Sequence, residues 1–320
     1  MIIMFNSPDY IYGIFLSGSY NNASAFFKAL RRINKETFDK YSKFLFHQEF
    51  KEDLYRIVGE NYSGRYGQSE IDTMCGVLAN FCKQHISEEA KEFFKLRGVS
   101  TESLERLSLG STEAIDDKVV VEELIKSLRD SGVSRYIVED LFLFFFTVLP
   151  TIKSLYPGSH FVTIPSYDQE GNCRGICFRT TRYRKLNSTV KNLYKFHFFN
   201  APSFIFNQQT LERNDSFFCF EGVFDSIVSE QYGIDNTIAL GNIRLSKWQY
   251  EKVKNKKGYY VFDNDLGGQN GLKQVESVYR EDNNLANYKG TLLPFKEDID
   301  ELLLNGKERE VKEFLNNLIK

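Results

Sequence analysis

The chain has 320 residues, 42% of them hydrophobic and 15% aromatic, and a formal net charge of −2. That is apolar material for about two domains, and the near-neutral balance excludes a globally basic nucleic-acid binder, so any polyanion site must be local. Five cysteines (Cys75, Cys82, Cys173, Cys177, Cys219), odd in number and scattered, argue against a disulfide framework.

The opening MIIMFNSPDY lacks the basic segment and the apolar run of a signal peptide. Residues 1–88 read as mostly helical, with helical apolar spacing in ASAFFKALRRI and IDTMCGVLANFCKQ. GENYSGRYGQSE, Gly59 to Glu70, reads as a loop, with Ser69 as the expected N-cap of the next helix. ISEEAKEFFKLRGVSTESLERLSLG predicts two short helices around the turn Arg97-Gly98-Val99-Ser100. VVVEELIKSLRDSG predicts another, ending at Gly132. LFLFFFTVL, Leu141 to Leu149, is about half of the roughly 20 residues that span a bilayer. It is expected to be a buried helix end or strand, and the protein is expected to be soluble and cytoplasmic, with no membrane partner.

The texture then changes. FVTIPSYDQEGNCRGICFRTT predicts a β-hairpin around Asp168-Gln169-Glu170-Gly171. Between Gly171 and Leu211 there is no Asp or Glu, while Arg174, Arg179, Arg182, Arg184, Lys185, Lys191 and Lys195 supply seven positive charges. Tyr183, Tyr194, Phe196 and His197 lie among them. Cations for phosphates and aromatics for bases suit a nucleic-acid strand.

From residue 210 onward short apolar runs alternate with helical segments: FFCF, a helix over 223–232, TIALG, SKWQYEKV, YYVF, QNGLKQVESVY and GTLLPF. Such alternation predicts a parallel sheet, whose ligands gather at the carboxyl ends of its strands. Acids stand at those ends: Glu221 after FFCF, Asp263 and Asp265 after YYVF, and Glu297, Asp298 and Asp300 after TLLPF. Any one of them alone is explained as a helix cap or first-turn acid, as are Asp225 and Asp300. Three acidic strand ends in one array instead suggest oxygen ligands for a hard divalent cation. The spacing of Asp263 and Asp265 would let both face one side of an extended segment, and Gly267 and Gly268 would allow a tight turn and close ligand approach.

The arrangement E-G-x-x-D at Glu221–Asp225, followed by D-x-D at Asp263–Asp265 and a glycine, resembles a Toprim domain over residues 212–303. The preceding segment resembles the catalytic core of the bacterial (DnaG-type) primases. The matching runs are YDQEG, GICFR (Gly175 to Arg179), RKLNS (Arg184 to Ser188), Lys195 and IFN (Ile205 to Asn207). The upstream ISEEAKEFFKLRGVSTESLERLSLG is similar to that family's helical entry, and EDIDELL to its acidic E-D-P-D segment. There are departures: Phe161 stands where the family has a basic residue, Lys185 replaces the tyrosine of K-Y-L-N-S, and extra residues precede IFN. They point to a divergent branch, such as a phage enzyme. The family's zinc ribbon has no counterpart, since His47, Cys75, Cys82 and His85 lack paired spacing. Cys75 and Cys82 read as small buried residues, and no zinc is expected.

The resemblance implies an α+β to α/β protein with three parts. These are a helical region (1–88), a mixed basic subdomain (89–209) and a Toprim parallel sheet flanked by helices (210–320). It implies a DNA primase that joins ribonucleoside triphosphates into short primers on single-stranded DNA. Glu221, Asp263 and Asp265 would hold Mg²⁺ or Mn²⁺, with Asp298 completing the shell and Asp225 and Asp300 in support. Glu221 serves equally well as a general base. Arg179, Arg184, Lys185, Asn187 and Lys195 would bind template or nucleotide. With no G-x-x-x-x-G-K-[ST] motif, the helicase partner is expected to be a separate protein. A Toprim nuclease or a non-catalytic DNA-binding factor is the alternative.

Overall fold

The computed structural model of the protein describes residues 67–116, 118–135, 137, 138, 141, 145, 161–181, 195–198, 205–241 and 244–319. Outside them lie the expected helix ASAFFKALRRI, His47, most of LFLFFFTVL, and Arg182, Arg184, Lys185, Asn187 and Lys191. Leu141 and Phe145, from LFLFFFTVL, are buried as expected. Among the described residues no helix is long and apolar enough to cross a membrane.

Helix α1 (Gln68–Gln84) has Gly67 as its N-cap, two residues ahead of the expected cap Ser69. The Gly67 carbonyl accepts from the N–H groups of Glu70 and Ile71 at 3.0 and 3.1 Å, and Gln68 donates to Asp72 at 2.8 Å, which closes that first turn. Helices α2 (Glu88–Leu96) and α3 (Thr101–Arg106) flank the expected turn and carry the serine caps Ser87 and Ser100. Gly98 in that turn has φ +74°, a conformation glycine adopts without steric cost. Strand β1 (Gly110–Ser111) and α4 (Lys118–Asp130) follow.

Strands β2 (Phe161–Tyr167), β3 (Cys173–Thr180) and β4 (Lys195–Phe198) complete an antiparallel sheet in the order β1-β2-β3-β4. The hairpin is the expected one: Asp168 accepts from the Asn172 N–H at 2.8 Å, and Gly171 takes φ +83°. Side-chain alternation divides the sheet between two cores. Phe161, Cys173, Ile176 and Phe178 pack with Ile71, Met74, Cys75 and Leu78 of α1. Val162, Ile164 and Cys177 pack the other way, with Phe94 and with Phe224 and Ile227 of the second layer. Cys75 and Cys82 are fully buried core residues of α1, as read from their spacing.

The second sheet is parallel, in the order β6-β5-β7-β8. Its elements run α5 (Thr210–Arg213), β5 (Ser216–Phe220), α6 (Val223–Gln231), β6 (Thr237–Ala239) and α7 (Lys247–Val253). Then come β7 (Lys257–Phe262), α8 (Leu266–Glu281), β8 (Tyr288–Leu292), α9 (Ile299–Leu304) and α10 (Glu308–Ile319). Central parallel strands are covered on both faces, and so the apolar runs are continuous. Phe217, Cys219, Tyr260 and Phe262 enter one core, and Phe218, Phe220, Tyr259 and Val261 the other. Each of the Phe and Val side chains among them contributes about 1.5–3 kcal/mol by burial. The last strand departs from expectation. It ends at Leu292, so Pro294 and Phe295 belong to a connection, and Glu297, Asp298 and Asp300 are reached through a loop and not at the strand end itself.

One cation of the acid-free window has a structural post. Arg174 donates through Nε to Asp168 and through Nη1 to Asp72, both at 2.6 Å, tying the hairpin to α1. Burial works against ionisation of Asp168, but donors from Asn172 and Arg174 hold its carboxyl below the usual range. Arg174→Ala therefore strands a nearly buried carboxylate. The expected loss is about 3 kcal/mol of unfolding free energy, measured by urea denaturation.

Candidate active site

The acidic edge is assembled by strand order. β5 pairs in parallel with β7, Cys219 opposite Tyr260, so β7 ends one residue beyond β5 and the residues that follow the two strands meet. Glu221 Oε1 accepts from the Asp263 N–H at 3.2 Å, although 42 residues separate the two in sequence. Gly268 makes this approach possible. A Cβ there would fall 2.1 Å from the Asp263 carbonyl oxygen and 3.0 Å from Glu221 Oε1. Gly267 and Gly268 both avoid positive φ, so what Gly268 supplies is space and not a special turn.

Asp263-Asn264-Asp265 is a tight turn and not the extended segment expected. The Asp265 N–H donates to the Asp263 carbonyl at 2.8 Å, which divides the two carboxylates between a half-buried and an exposed position. Asp265 also caps α8, accepting from the Gly268 N–H at 2.8 Å. Asp298 is the N-cap residue of α9 and makes no side-chain cap bond there. Glu297 is drawn aside to Lys307 at 3.2 Å.

Behind this edge lies a buried pair. Asp225, in the first turn of α6, is 8% exposed, and Asp300, in the first turn of α9, is 1% exposed. The Asp300 N–H donates to Asp225 Oδ1 at 3.2 Å. Burial pushes the Asp225 carboxyl well above the usual range, and the charges of Asp300, Asp263 and Asp298 add to the shift. Burial raises Asp300 too, opposed by the Arg97 guanidinium, which donates to its Oδ2. Arg97 was legible in the sequence only as a turn residue; its proximity to a carboxylate 203 positions away left no local signal.

Of the expected template ligands, Arg179 is placed on β3. Its guanidinium carbon stands 5.0 Å from the ring centroid of Phe224, and that of Arg97 stands 4.8 Å from the same ring. Lys195 is the backbone register partner of Arg179 across β3 and β4. Arg184, Lys185 and Asn187 lie outside the described residues.

The donors at the edge are all carboxylate oxygens, the ligands that hard divalent ions take. The electrostatic coupling of Asp225 to Asp263 and Asp298 places these acids in one another's field, and the space beside Gly268 keeps Glu221 and Asp263 together. In donor chemistry the residues fit Mg²⁺ or Mn²⁺. Among the described residues, however, no group of three His, Cys, Asp or Glu side chains is gathered closely enough to hold an ion.

Comparison with known proteins agrees with this construction. Residues 218–303, from β5 through α9, match the Toprim-like family. The structure is similar to the RNA polymerase domain of the Mycobacterium tuberculosis primase DnaG, with TM-score 0.54 and 13% identity, over 77% of this chain and 82% of that one. It is similar to the zinc-binding and RNA polymerase domains of the Aquifex aeolicus primase, with TM-score 0.54 and 18% identity, over 79% and 62%. It is also similar to a DnaG primase catalytic domain bound to single-stranded DNA, with TM-score 0.52 and 15% identity, over 78% and 80%. Identities this low establish fold. The uncharacterized protein MG010 of Mycoplasma genitalium is 28% identical over 123 residues, 36% of this chain and 53% of that protein, so the match spans about half of that relative.

The parallel layer is thus a Toprim-like domain. Over 77–79% of its length the chain has the fold of a DnaG-type primase catalytic core.

Replacing Asp263 and Asp265 with Asn keeps the α8 cap, because Asn caps as well as Asp, and removes charge from a self-repelling edge. The double variant should be as stable as wild type without metal. It should lose the stabilisation by Mn²⁺, about 2.7 kcal/mol at a concentration 100 times the dissociation constant. Thermal melting with and without Mn²⁺ checks both.

Proposed function

We propose that this protein is a DNA primase, a nucleotidyltransferase that builds short RNA primers on single-stranded DNA. The observation that carries the reading is the adjoining acidic ends of β5 and β7 within a primase-core fold. In this reading 1–88 is an accessory region, 89–209 the basic subdomain and 210–320 the metal-binding domain. Single-stranded DNA, ribonucleoside triphosphates and a separate replicative helicase are the partners, and the cytoplasm is the compartment.

Glu221, Asp263 and Asp265 hold Mg²⁺ or Mn²⁺, with Asp298 as a further ligand and Asp225 and Asp300 in support. A bound divalent ion neutralises charge on the triphosphate and lowers the proton affinity of the primer 3′-hydroxyl. Glu221 either belongs to that ligand set or accepts the hydroxyl proton. Arg179, Arg184, Lys185, Asn187 and Lys195 bind template or nucleotide from the basic side, opposite in sign to the acidic edge.

Single-stranded DNA, labelled ribonucleotides and Mg²⁺ should yield primers with the wild-type chain. They should yield none with the Asp263→Asn/Asp265→Asn variant. Cleavage of the DNA would make the protein a Toprim nuclease, and binding alone a non-catalytic factor.

The division of labour is testable as well. Arg184→Ala/Lys185→Ala should weaken single-stranded DNA binding and flatten its salt dependence by up to about two phosphate contacts, each worth about 0.7 in the slope. Glu221→Gln should bind template normally and make no primer. Titration of labelled single-stranded DNA at several salt concentrations reads both. An Arg184/Lys185 variant that binds like wild type would remove that segment from the interface.

A further inference from the structure

Arg97 is the basic side chain that enters the acidic layer from behind. The turn that bears it is fastened to the helices under the site. The Gly98 carbonyl accepts from Gln231 Nε2 at 2.7 Å, and Gln231 Oε1 accepts from the Ser100 N–H at 2.8 Å, both at the last residue of α6. Gly98 also sits so close to α9 that a Cβ there would be 2.4 Å from Leu304 Cδ2. Asp300 is one helical turn before Leu304, on the same face.

The Arg97 side chain therefore runs back along α9 from the level of Leu304 to that of Asp300. There it donates to Asp300 and lies over Phe224, at the start of α6. Its Nε is buried without a partner, and the guanidinium is held by that carboxylate and that ring. Asp300 in turn donates its N–H to Asp225, and the Asp225 Oδ2 would lie 2.4 Å from a Cβ on Gly222, the residue beside Glu221. A continuous series of contacts links Arg97 to the acidic edge.

We infer that Arg97 is a positioning residue: it keeps the buried Asp300–Asp225 pair closed, and so holds the start of α9, with Asp298, beside Glu221 and Asp263. The inference rests on the metal-site reading above. Without Arg97 the buried Asp300 carboxylate loses its cation and the turn loses its hold on the start of α9, which is then free to move from α6. The consequence falls on divalent-ion binding, and DNA binding is left in place.

The test measures Mn²⁺ affinity of the full chain from the electron paramagnetic resonance signal of free Mn²⁺, which needs no turnover. Arg97→Ala should bind Mn²⁺ about tenfold more weakly, with single-stranded DNA affinity within about twofold of wild type. Asp300→Asn in the Arg97→Ala background removes the stranded charge, and Mn²⁺ affinity should return to within about threefold of wild type. If Arg97→Ala fails to fold, the double variant is compared with Asp300→Asn alone, and the two should bind Mn²⁺ alike. Unchanged Mn²⁺ affinity in Arg97→Ala, or a double variant as weak as the single, would overturn the inference. A wild-type chain that binds no Mn²⁺ would sink the metal-site reading, and the inference with it. Tight Mn²⁺ binding without primer synthesis would sink only the primase reading.

Discussion

The acidic edge exists because β5 is paired with β7. Glu221 and Asp263, 42 positions apart in sequence, are brought together, and each is the first residue beyond its strand. Parallel pairing needs a long crossover, and this crossover carries α6, β6 and α7. What makes the long-range pairing favourable is the apolar content of the strands. Phe217 meets Tyr260 edge to face with centroids 5.8 Å apart, and Phe218 meets Tyr259 at 5.4 Å on the other side of the sheet. The site is thus the polar end of an aromatic core.

The basic residues divide by task. Arg174 is engaged by Asp168 and Asp72 and belongs to the join between hairpin and helix. Arg179 is two residues beyond Cys177 on β3 and so shares its face, the one that packs against α6, where Phe224 receives its guanidinium. With Arg174 so engaged, a count of positive charges in the acid-free window overstates the surface offered to a polyanion. The segment around Arg184 and Lys185 is what the nucleic-acid reading leans on.

Much of this was legible in the sequence. Continuous aromatic runs announced the central strands, and carboxylates directly after Phe220 and Phe262 announced the edge. The YDQEG turn announced the hairpin, because Asp168 and Gly171 carry its geometry locally. Features that depend on distant partners were not legible. The final strand was displaced because Leu293 is apolar and bonds to the Phe262 carbonyl without being part of β8, so TLLPF looked like one run. The partition of Asp263 and Asp265 between half-buried and exposed positions follows from a backbone bond that spacing does not encode. Arg97 followed a helix and preceded a glycine, a pattern that predicts a turn and is silent about Asp300.

The acids fall into two sets that demand different compensation. Asp225 and Asp300 are shielded from water, where isolated charge is costly, so their compensation must be built into the chain. Arg97 supplies it from a helix–turn element that neither contributes a strand to the sheet nor lies near it in sequence. Glu221, Asp263, Asp265 and Asp298 are half-buried or exposed. Water screens them. A cation built in behind and solvent in front therefore compensate the two sets of acids by different means. The half of the molecule that precedes the parallel sheet therefore does more than offer a basic surface, because through the turn at Gly98 it also carries the charge that keeps the sheet's acidic helices together.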